Sequence, residues 1–144
     1  MTADLANAPQ LTSESYDYVI CAQTLLLIYD VHSAIETLHR ILRPGGTLLL
    51  TVPGISQICR PEMNETGDYW RFTTLSLRRL LEEAFRPNDL IVQSYGNVLT
   101  ASSFLYGIAA EDLSEEELDY LDRDYELLIA AQAVKRGKDD AKPR

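Results

Sequence analysis

Two stretches of the sequence decide the fold: YDYVICA at residues 16–22 and RPGGTLLLTV at residues 43–52. The first is a short, nearly continuous run of apolar, β-branched and aromatic residues, which is typical of a strand covered on both faces in a parallel sheet. In the second, Pro44-Gly45-Gly46 cannot continue a helix, and residues 47–52 then form another buried strand.

Between the two predicted strands, apolar residues recur at the spacing of an α-helix. Either Asp30 or Ser33 could cap the start of the helix. Its apolar residues form one stripe about three turns long: Val31, Ala34, Ile35, Leu38, Ile41 and Leu42. A strand, a helix and a strand joined by short turns make a βαβ unit, for which a right-handed crossover and parallel strands are expected. The sequence therefore predicts that Val19 and Leu49 lie in adjacent parallel strands.

The rest of the chain predicts two more strands and three more helices. Residues 55–72 form a long irregular connection that carries the sole tryptophan. The predicted elements that follow are a helix from Thr73 or Thr74 to Phe85, a strand at 90–95, a helix at 98–110, an acidic helix at 114–121 and a strand at 125–134, with a helix as the alternative for the last. We predict an α/β fold with a mostly parallel sheet, a final antiparallel strand and helices on both faces.

Composition limits the classes of function. The chain has 144 residues and a net charge of −9, so its surface repels phosphate backbones and we expect no nucleic-acid binding. It has neither an apolar run long enough to cross a membrane nor a signal-like start, so we expect no membrane association and a cytoplasmic location. Residues 1–135 are predicted to form one domain. We expect residues 136–144 to be disordered and the basic residues from Lys135 onward to be a solvated tail.

Two blocks of sequence carry a family resemblance. Residues 15–25 (SYDYVICAQTL) are similar to the fourth strand and following turn of class I, Rossmann-like S-adenosylmethionine (SAM) dependent methyltransferases, and residues 38–49 (LHRILRPGGTLL) resemble the next helix, turn and fifth strand of that family. The resemblance runs from about residue 3 to residue 135. Residues 67–73 (GDYWRFT) resemble a segment of the branch with type 11-like domains, some of which accompany glycan-modifying enzymes.

The resemblance implies a cofactor site at strand ends. Asp4 and Leu5 look like the loop in which an acidic residue meets the adenine amino group of SAM. Ala22, Gln23 and Thr24 match the turn beside the methionine moiety of the cofactor. The alternatives are a solvated turn at Asp4 and a simple helix-capping turn after the first strand. Many relatives carry a polar pair where this chain has Leu26-Leu27, so a polar contact to the substrate is in doubt.

The resemblance also shows what this sequence lacks. The family's glycine-rich loop and the acidic residue that binds ribose precede the part that matches here, and the seven glycines of this chain include no GxGxG spacing. We therefore expect a truncated, C-terminal portion of the domain that binds SAM weakly or not at all by itself.

The methyl acceptor is predicted to be a small molecule or a glycan. Tyr69, Trp70 and Arg71 could form a lid over it through stacking and anion contacts, or they could be an aromatic plug that docks a long loop. No catalytic residue is predicted, because alignment of the reacting atoms contributes most to methyl transfer. No metal site is predicted either, since His32 and His39 have no carboxylate or cysteine at ligand spacing.

Two other readings of the sequence stay open. One is a non-catalytic α/β remnant or interaction module, and the other is a different Rossmann-like enzyme, which would also need a glycine-rich loop. For a truncated domain, removal of the preceding strands would leave one edge of the first strand unpaired. We therefore predict that the isolated chain forms a homodimer through that edge or aggregates.

Overall fold

The computed structural model of the protein describes residues 3–137. It contains four strands and five α-helices in that range: β1 (Tyr16–Ala22), α1 (Val31–Ile41), β2 (Leu42–Pro53), α2 (Arg60–Glu65), α3 (Thr74–Glu82), β3 (Leu90–Tyr95), α4 (Val98–Tyr106), α5 (Glu115–Asp119) and β4 (Leu128–Val134). No helix in this range is long and apolar enough to cross a membrane.

The predicted βαβ unit is confirmed. β1 pairs in parallel with β2, with Val19 opposite Leu48 and Ile20 opposite Leu49. Between them, α1 begins where the Asp30 carboxylate accepts a hydrogen bond of 3.1 Å from the backbone N–H of Ser33. This bond satisfies one of the free donors at the start of the helix.

The order of strands in the sheet is β1-β2-β4-β3. β4 is antiparallel to both of its neighbours, so β1, β2 and β3 share one direction. The predicted antiparallel final strand is confirmed and the helix alternative for this segment is excluded. The sheet is mostly parallel in strand direction, but only the β1–β2 neighbours form a parallel pair. β4 lies inside the sheet because the chain returns from β3 to fill the space beside β2.

The core lies on one face of the sheet. α1 and α3 contact each other and the strands there. The largest fully buried side chains come from all of these elements and the turn after β1: Leu25, Ile35, Leu38, Leu42, Leu48, Leu50, Leu77, Leu81, Ile129 and Val52. Burying such side chains supplies most of the free energy of folding.

The opposite face of the sheet carries an exposed row of side chains. The strand registers align Ile20, Leu49, Gln132 and Ile91 across all four strands, and Ile20 is 75% exposed while Ile91 is 61% exposed. Within residues 3–137, α1 and α3 therefore cover only one face, and the predicted second helical layer is not found. Helical periodicity predicts that a helix has a buried side, but not which face of the sheet it covers.

Several local boundaries differ from the prediction. α4 ends at Tyr106 because Gly107 takes a left-handed conformation, and β4 begins at Leu128 rather than at residue 125. At the C-terminal end, Lys135 is buried and its ammonium donates 2.8 Å to the carbonyl oxygen of Leu42, so it is no part of a solvated tail. Arg136 binds the Asp89 carboxylate. Most of the tail predicted to be disordered, residues 138–144, lies outside the described residues.

Candidate functional site

The carboxyl ends of β1, β2 and β3 lie at the same edge of the sheet, because these three strands run in the same direction. In open α/β sheets, ligands bind beyond this edge. The segments that leave it are the turn after Ala22, the long loop after Pro53 and the start of α4 after Tyr95. We call it the carboxyl edge.

The turn after β1 has a constrained backbone. Gln23 adopts a positive φ of 48°, which is uncommon for a residue other than glycine and costs about 1 kcal/mol. Its N–H donates 2.9 Å to the carbonyl oxygen of Thr51, and its side-chain amide lies 3.4 Å from the Thr51 hydroxyl. The Thr24 hydroxyl donates 2.9 Å to the carbonyl oxygen of Ala22. The turn is therefore held at the carboxyl edge by β2, and a strained conformation of this kind is typical of functional sites.

The thiol beneath the turn is a structural group. Cys21 is buried in the core, and burial raises the pKa of its thiol, with a smaller opposing effect from the Thr24 hydroxyl. A thiol held in its neutral form is a poor nucleophile, so Cys21 contributes to the packing of the core.

The predicted adenine loop forms a compact turn before β1. The Asp4 carboxylate accepts a hydrogen bond of 2.9 Å from the N–H of Ala6, and its carbonyl oxygen accepts one of 3.0 Å from the N–H of Asn7. Leu5 packs against the core cluster. Asp4 is thus exposed and fixed in orientation by its own turn, and its second carboxylate oxygen has no hydrogen bond within the described residues.

The long loop after β2 is docked onto the segment that follows β1. The N–H of Tyr69 donates 2.8 Å to the carbonyl oxygen of Leu26, and the indole N–H of Trp70 donates 3.0 Å to that of Ile28. The Trp70 ring also stacks on Tyr29 at a centroid distance of 5.9 Å. These contacts are those expected of an aromatic plug, and they bring two loops of the carboxyl edge together.

Arg71 stabilises the same loop through hydrogen bonds to other residues of that loop. Its guanidinium donates to both carboxylate oxygens of Asp68, at 2.6 and 3.0 Å, and to the backbone carbonyl oxygens of Ser56, Gln57 and Trp70. The Arg71 hydrogen bond is the largest cause of a lowered pKa at Asp68, so this carboxylate stays charged. Since its donors are occupied by the loop, Arg71 holds Tyr69 and Trp70 in place.

An exposed aromatic pair is left on the outside of the docked loops. The rings of Tyr29 and Tyr69 meet edge to face at 5.4 Å, and both side chains are exposed. Tyr29 was not predicted from the sequence, because a single tyrosine after a strand-end turn carries no local signal. Its proximity to Tyr69 arises only when the two loops dock.

The part of the chain that the structure describes contains no group of three or more histidine, cysteine or carboxylate side chains placed to hold a metal ion. Of the two histidines, His32 lies 2.7 Å from the Glu83 carboxylate between α1 and α3. His39 packs edge to face on Phe85, and burial lowers its pKa. Both histidines thus support helix packing.

Comparison with known sequences finds a family match at the start of the chain. Residues 1–50 match the family model described as "Methyltransferase domain". A reducing polyketide synthase from Alternaria alternata is 42% identical over 53 residues, which are 36% of this chain and 2% of that protein. The chain is therefore similar to a small part of a much longer protein.

Solved structures extend the similarity to nearly the whole chain. The structure of a SAM-dependent methyltransferase from Thermotoga maritima aligns with 94% of this chain, and the alignment covers 63% of the Thermotoga protein. The TM-score is 0.60 and the sequence identity is 19%. A second structure is that of a Haemonchus contortus phosphoethanolamine N-methyltransferase in complex with phosphomonomethylethanolamine and S-adenosylhomocysteine. The alignment covers 93% of this chain and 36% of the Haemonchus protein, with a TM-score of 0.60 and 16% sequence identity. The chain has the α/β fold of class I methyltransferase domains, and the resemblance found in the sequence is confirmed. It spans less than two thirds of these structural relatives.

Proposed function

We propose that this chain is the C-terminal portion of a SAM-dependent methyltransferase domain and supplies one wall of its cofactor and acceptor site. The observation that carries the proposal is the left-handed turn at Gln23, which β2 holds at the carboxyl edge of a parallel strand pair. The methyltransferase-domain match over residues 1–50 includes this turn.

The described residues fit part of SAM. The exposed turn at Ala22, Gln23 and Thr24 offers backbone and amide groups to a methionine moiety, and Asp4 offers a carboxylate oxygen to an exocyclic amine such as that of adenine. Residues 3–44 contain no glycine, so the described segment before β1 has no glycine at which a nucleotide could approach the backbone closely. The described portion would therefore contact one side of the cofactor, and by itself it should bind SAM weakly.

The contribution of this chain to methyl transfer is positioning. SAM, when bound, supplies a methyl group already activated by its sulfonium, so the protein must align the acceptor with that methyl group. The Gln23 turn would fix one end of the cofactor. The docked loops carrying Tyr29 and Tyr69 would form a rigid wall over the same edge and limit the entry of water.

We propose a small organic molecule as the acceptor, with a glycan as the second candidate. Exposed tyrosine rings offer apolar faces and hydroxyl groups, which suit either class. The small-molecule class is favoured because the relatives include a polyketide synthase and a phosphoethanolamine N-methyltransferase. Within the candidate lid, Tyr69 would contact the acceptor. Trp70 and Arg71 would hold the Tyr69 loop in place.

Weak cofactor binding can be tested on the chain as it is. We would titrate ¹⁵N-labelled protein with millimolar S-adenosylhomocysteine and follow the backbone amides by NMR. The largest shifts are expected at residues 3–5 and 22–25. Gln23→Ala should reduce these shifts, whereas Gln93→Ala, an exposed glutamine on β3, should leave them unchanged.

Two results would contradict the proposal. Amide shifts confined to other parts of the chain would remove the Gln23 turn from the site. Micromolar binding by the chain alone would show that this portion suffices for the cofactor, against the half-site proposed here. Complete absence of shifts would favour the second candidate function, a non-catalytic interaction module, which the uncovered face of the sheet also supports.

We also propose that the isolated chain forms a homodimer through β1. Within residues 3–137, β1 has a partner strand only on its β2 side, and Tyr18 and Ile20 are exposed beside the free edge. Two copies of β1 related by a two-fold axis could pair as antiparallel strands.

Light scattering on the eluate of a gel-filtration column tests the homodimer. Ile20→Lys should give a monomer, because like charges would oppose each other across the new strand pair. Ile91→Lys changes the same face far from the edge and should remain dimeric. A monodisperse monomer of the unmodified chain at all concentrations, or a dimeric Ile20→Lys variant, would overturn this pairing.

A further inference from the structure

α4 has its bulky apolar side chains on the outside. Its buried residues are the small Thr100, Ala101 and Ser103. Surface helices of globular proteins normally turn their large apolar residues toward the core and their polar residues toward solvent. In α4 this arrangement is reversed.

The outward residues of α4 form a continuous stripe. Val98, Leu105 and Tyr106 are seven and eight positions apart, which places them on one side of the helix. Val98 is 52% exposed, Leu105 53% and Tyr106 85%, and Leu99 widens the stripe. We call these four residues the α4 stripe. A contiguous apolar patch of this kind marks an interaction site.

The segment that follows α4 is strongly acidic. Nine carboxylates and a single arginine lie between Glu111 and Glu126. This segment is fixed to α4, because the buried Asn97 side chain donates 2.8 Å to the carbonyl oxygens of both Glu117 and Tyr120. The apolar stripe and the acidic segment are therefore joined at the start of α4 and form neighbouring parts of one surface.

We infer that this surface binds a basic amphipathic helix of a partner protein. An apolar helix face recognises a partner helix through a matching apolar stripe, and the acidic segment selects a partner whose flanks carry lysine or arginine. The same charge disfavours two other occupants. A second copy of this chain would bring like charges together, and a membrane with anionic lipids would repel the surface.

The surface is separate from the cofactor turn. α4 follows β3, and β3 lies three strand positions from β1 in the sheet, a separation of about 14 Å. The inference goes beyond the proposed function and does not depend on it, since it needs neither SAM nor an acceptor.

The test uses the full chain and a model peptide. A fluorescein-labelled amidated peptide, LKKLLKLLKKLLKL, forms a helix with leucines on one face and lysines on the other. Fluorescence anisotropy should show that it binds more tightly than a peptide of the same length in which leucine and lysine alternate strictly. Leu105→Ser with Tyr106→Ser should weaken binding about tenfold, since two exposed apolar contacts are lost.

A control variant tests for non-specific binding to exposed apolar residues. Leu49→Ser with Ile91→Ser removes two exposed aliphatic residues from the sheet face outside β1, and it should leave the affinity unchanged. Changing Glu115 and Glu116 to Gln and Asp119 to Asn should weaken binding at low salt and flatten its dependence on salt.

Three results would overturn the inference. The first is equal weakening by the α4 and sheet-face variants, and the second is equal binding of the alternating peptide. The third is binding to vesicles of phosphatidylcholine and phosphatidylserine that requires Leu105 and Tyr106, because this would assign the surface to a membrane instead.

Discussion

The Asp68–Arg71 ion pair should be a major stabilising contact of the docked loop. The Asp68 side chain is fully covered and that of Arg71 is 27% exposed. Replacing Arg71 by Met keeps an aliphatic side chain of similar length. It leaves the covered Asp68 carboxylate with only the Cys59 N–H as a donor, at 2.8 Å, and removes the guanidinium donor from three carbonyl oxygens. We expect a loss of about 3 kcal/mol in the free energy of unfolding, since charged hydrogen bonds contribute about 1.5–3 kcal/mol each and do not add fully.

A second ion pair of the same spacing provides the control. Arg79 and Glu82 are also three residues apart, at 3.2 Å, but the Arg79 side chain is 76% exposed. A double-mutant cycle on Asp68 and Arg71, with Asp68→Asn and Arg71→Met, should give a coupling free energy of about 2 kcal/mol. The corresponding cycle on Arg79 and Glu82 should give only about 0.3 kcal/mol.

The sole tryptophan makes the assay direct. Trp70 lies beside Arg71, and its carbonyl oxygen accepts a hydrogen bond of 2.9 Å from the guanidinium. Urea unfolding followed by Trp70 fluorescence would report the coupling, and a red shift of emission in native buffer would report undocking. If the Asp68–Arg71 coupling were no larger than that of the exposed pair, the covered ion pair would not hold the loop.

The same pair predicts a dependence on pH. Its hydrogen bond lowers the pKa of Asp68 in the folded state, so the stabilisation is complete above the ordinary carboxyl pKa of about 4. It is lost as the pH falls toward the lowered folded value. The stability difference between the unmodified chain and Arg71→Met should therefore shrink below pH of about 4.

Three further predictions follow from other contacts. Gly54→Ala should destabilise the fold by about 2–4 kcal/mol, measured by urea unfolding, because a Cβ there would lie 1.8 Å from the carbonyl oxygen of Glu126. Hydrogen bonding to Glu83 raises the pKa of His32, so its stabilisation is present at low pH and lost as the pH rises through the raised value. His32→Gln should remove that dependence from the thermal midpoint between pH 5 and 8, as for histidine generally, and an unchanged pH profile would count against it. Lys135→Met should cost about 1–3 kcal/mol in calorimetry; a neutral effect would show that its buried ammonium contributes nothing net.

The sequence alone determined the local elements. Apolar runs and turn residues predicted β1 and β3 at their observed bounds. The stripe from Val31 to Leu42 predicted α1, although its last residue, Leu42, begins β2. These signals depend on residues that are close together in the sequence, so they can be recognised without knowledge of the rest of the chain. The family resemblance came from the same local blocks.

Only the tertiary structure decided how distant segments meet. Nothing local in residues 128–134 says that this strand inserts between β2 and β3, or that Lys135 reaches the end of α1. Nor does any local pattern bring Tyr29 to Tyr69 or leave the α4 stripe exposed. These features are the strand order, the covered face of the sheet and the docking of the loops. They depend on which arrangement of the whole chain buries the most apolar surface while its buried backbone N–H and C=O groups still form hydrogen bonds.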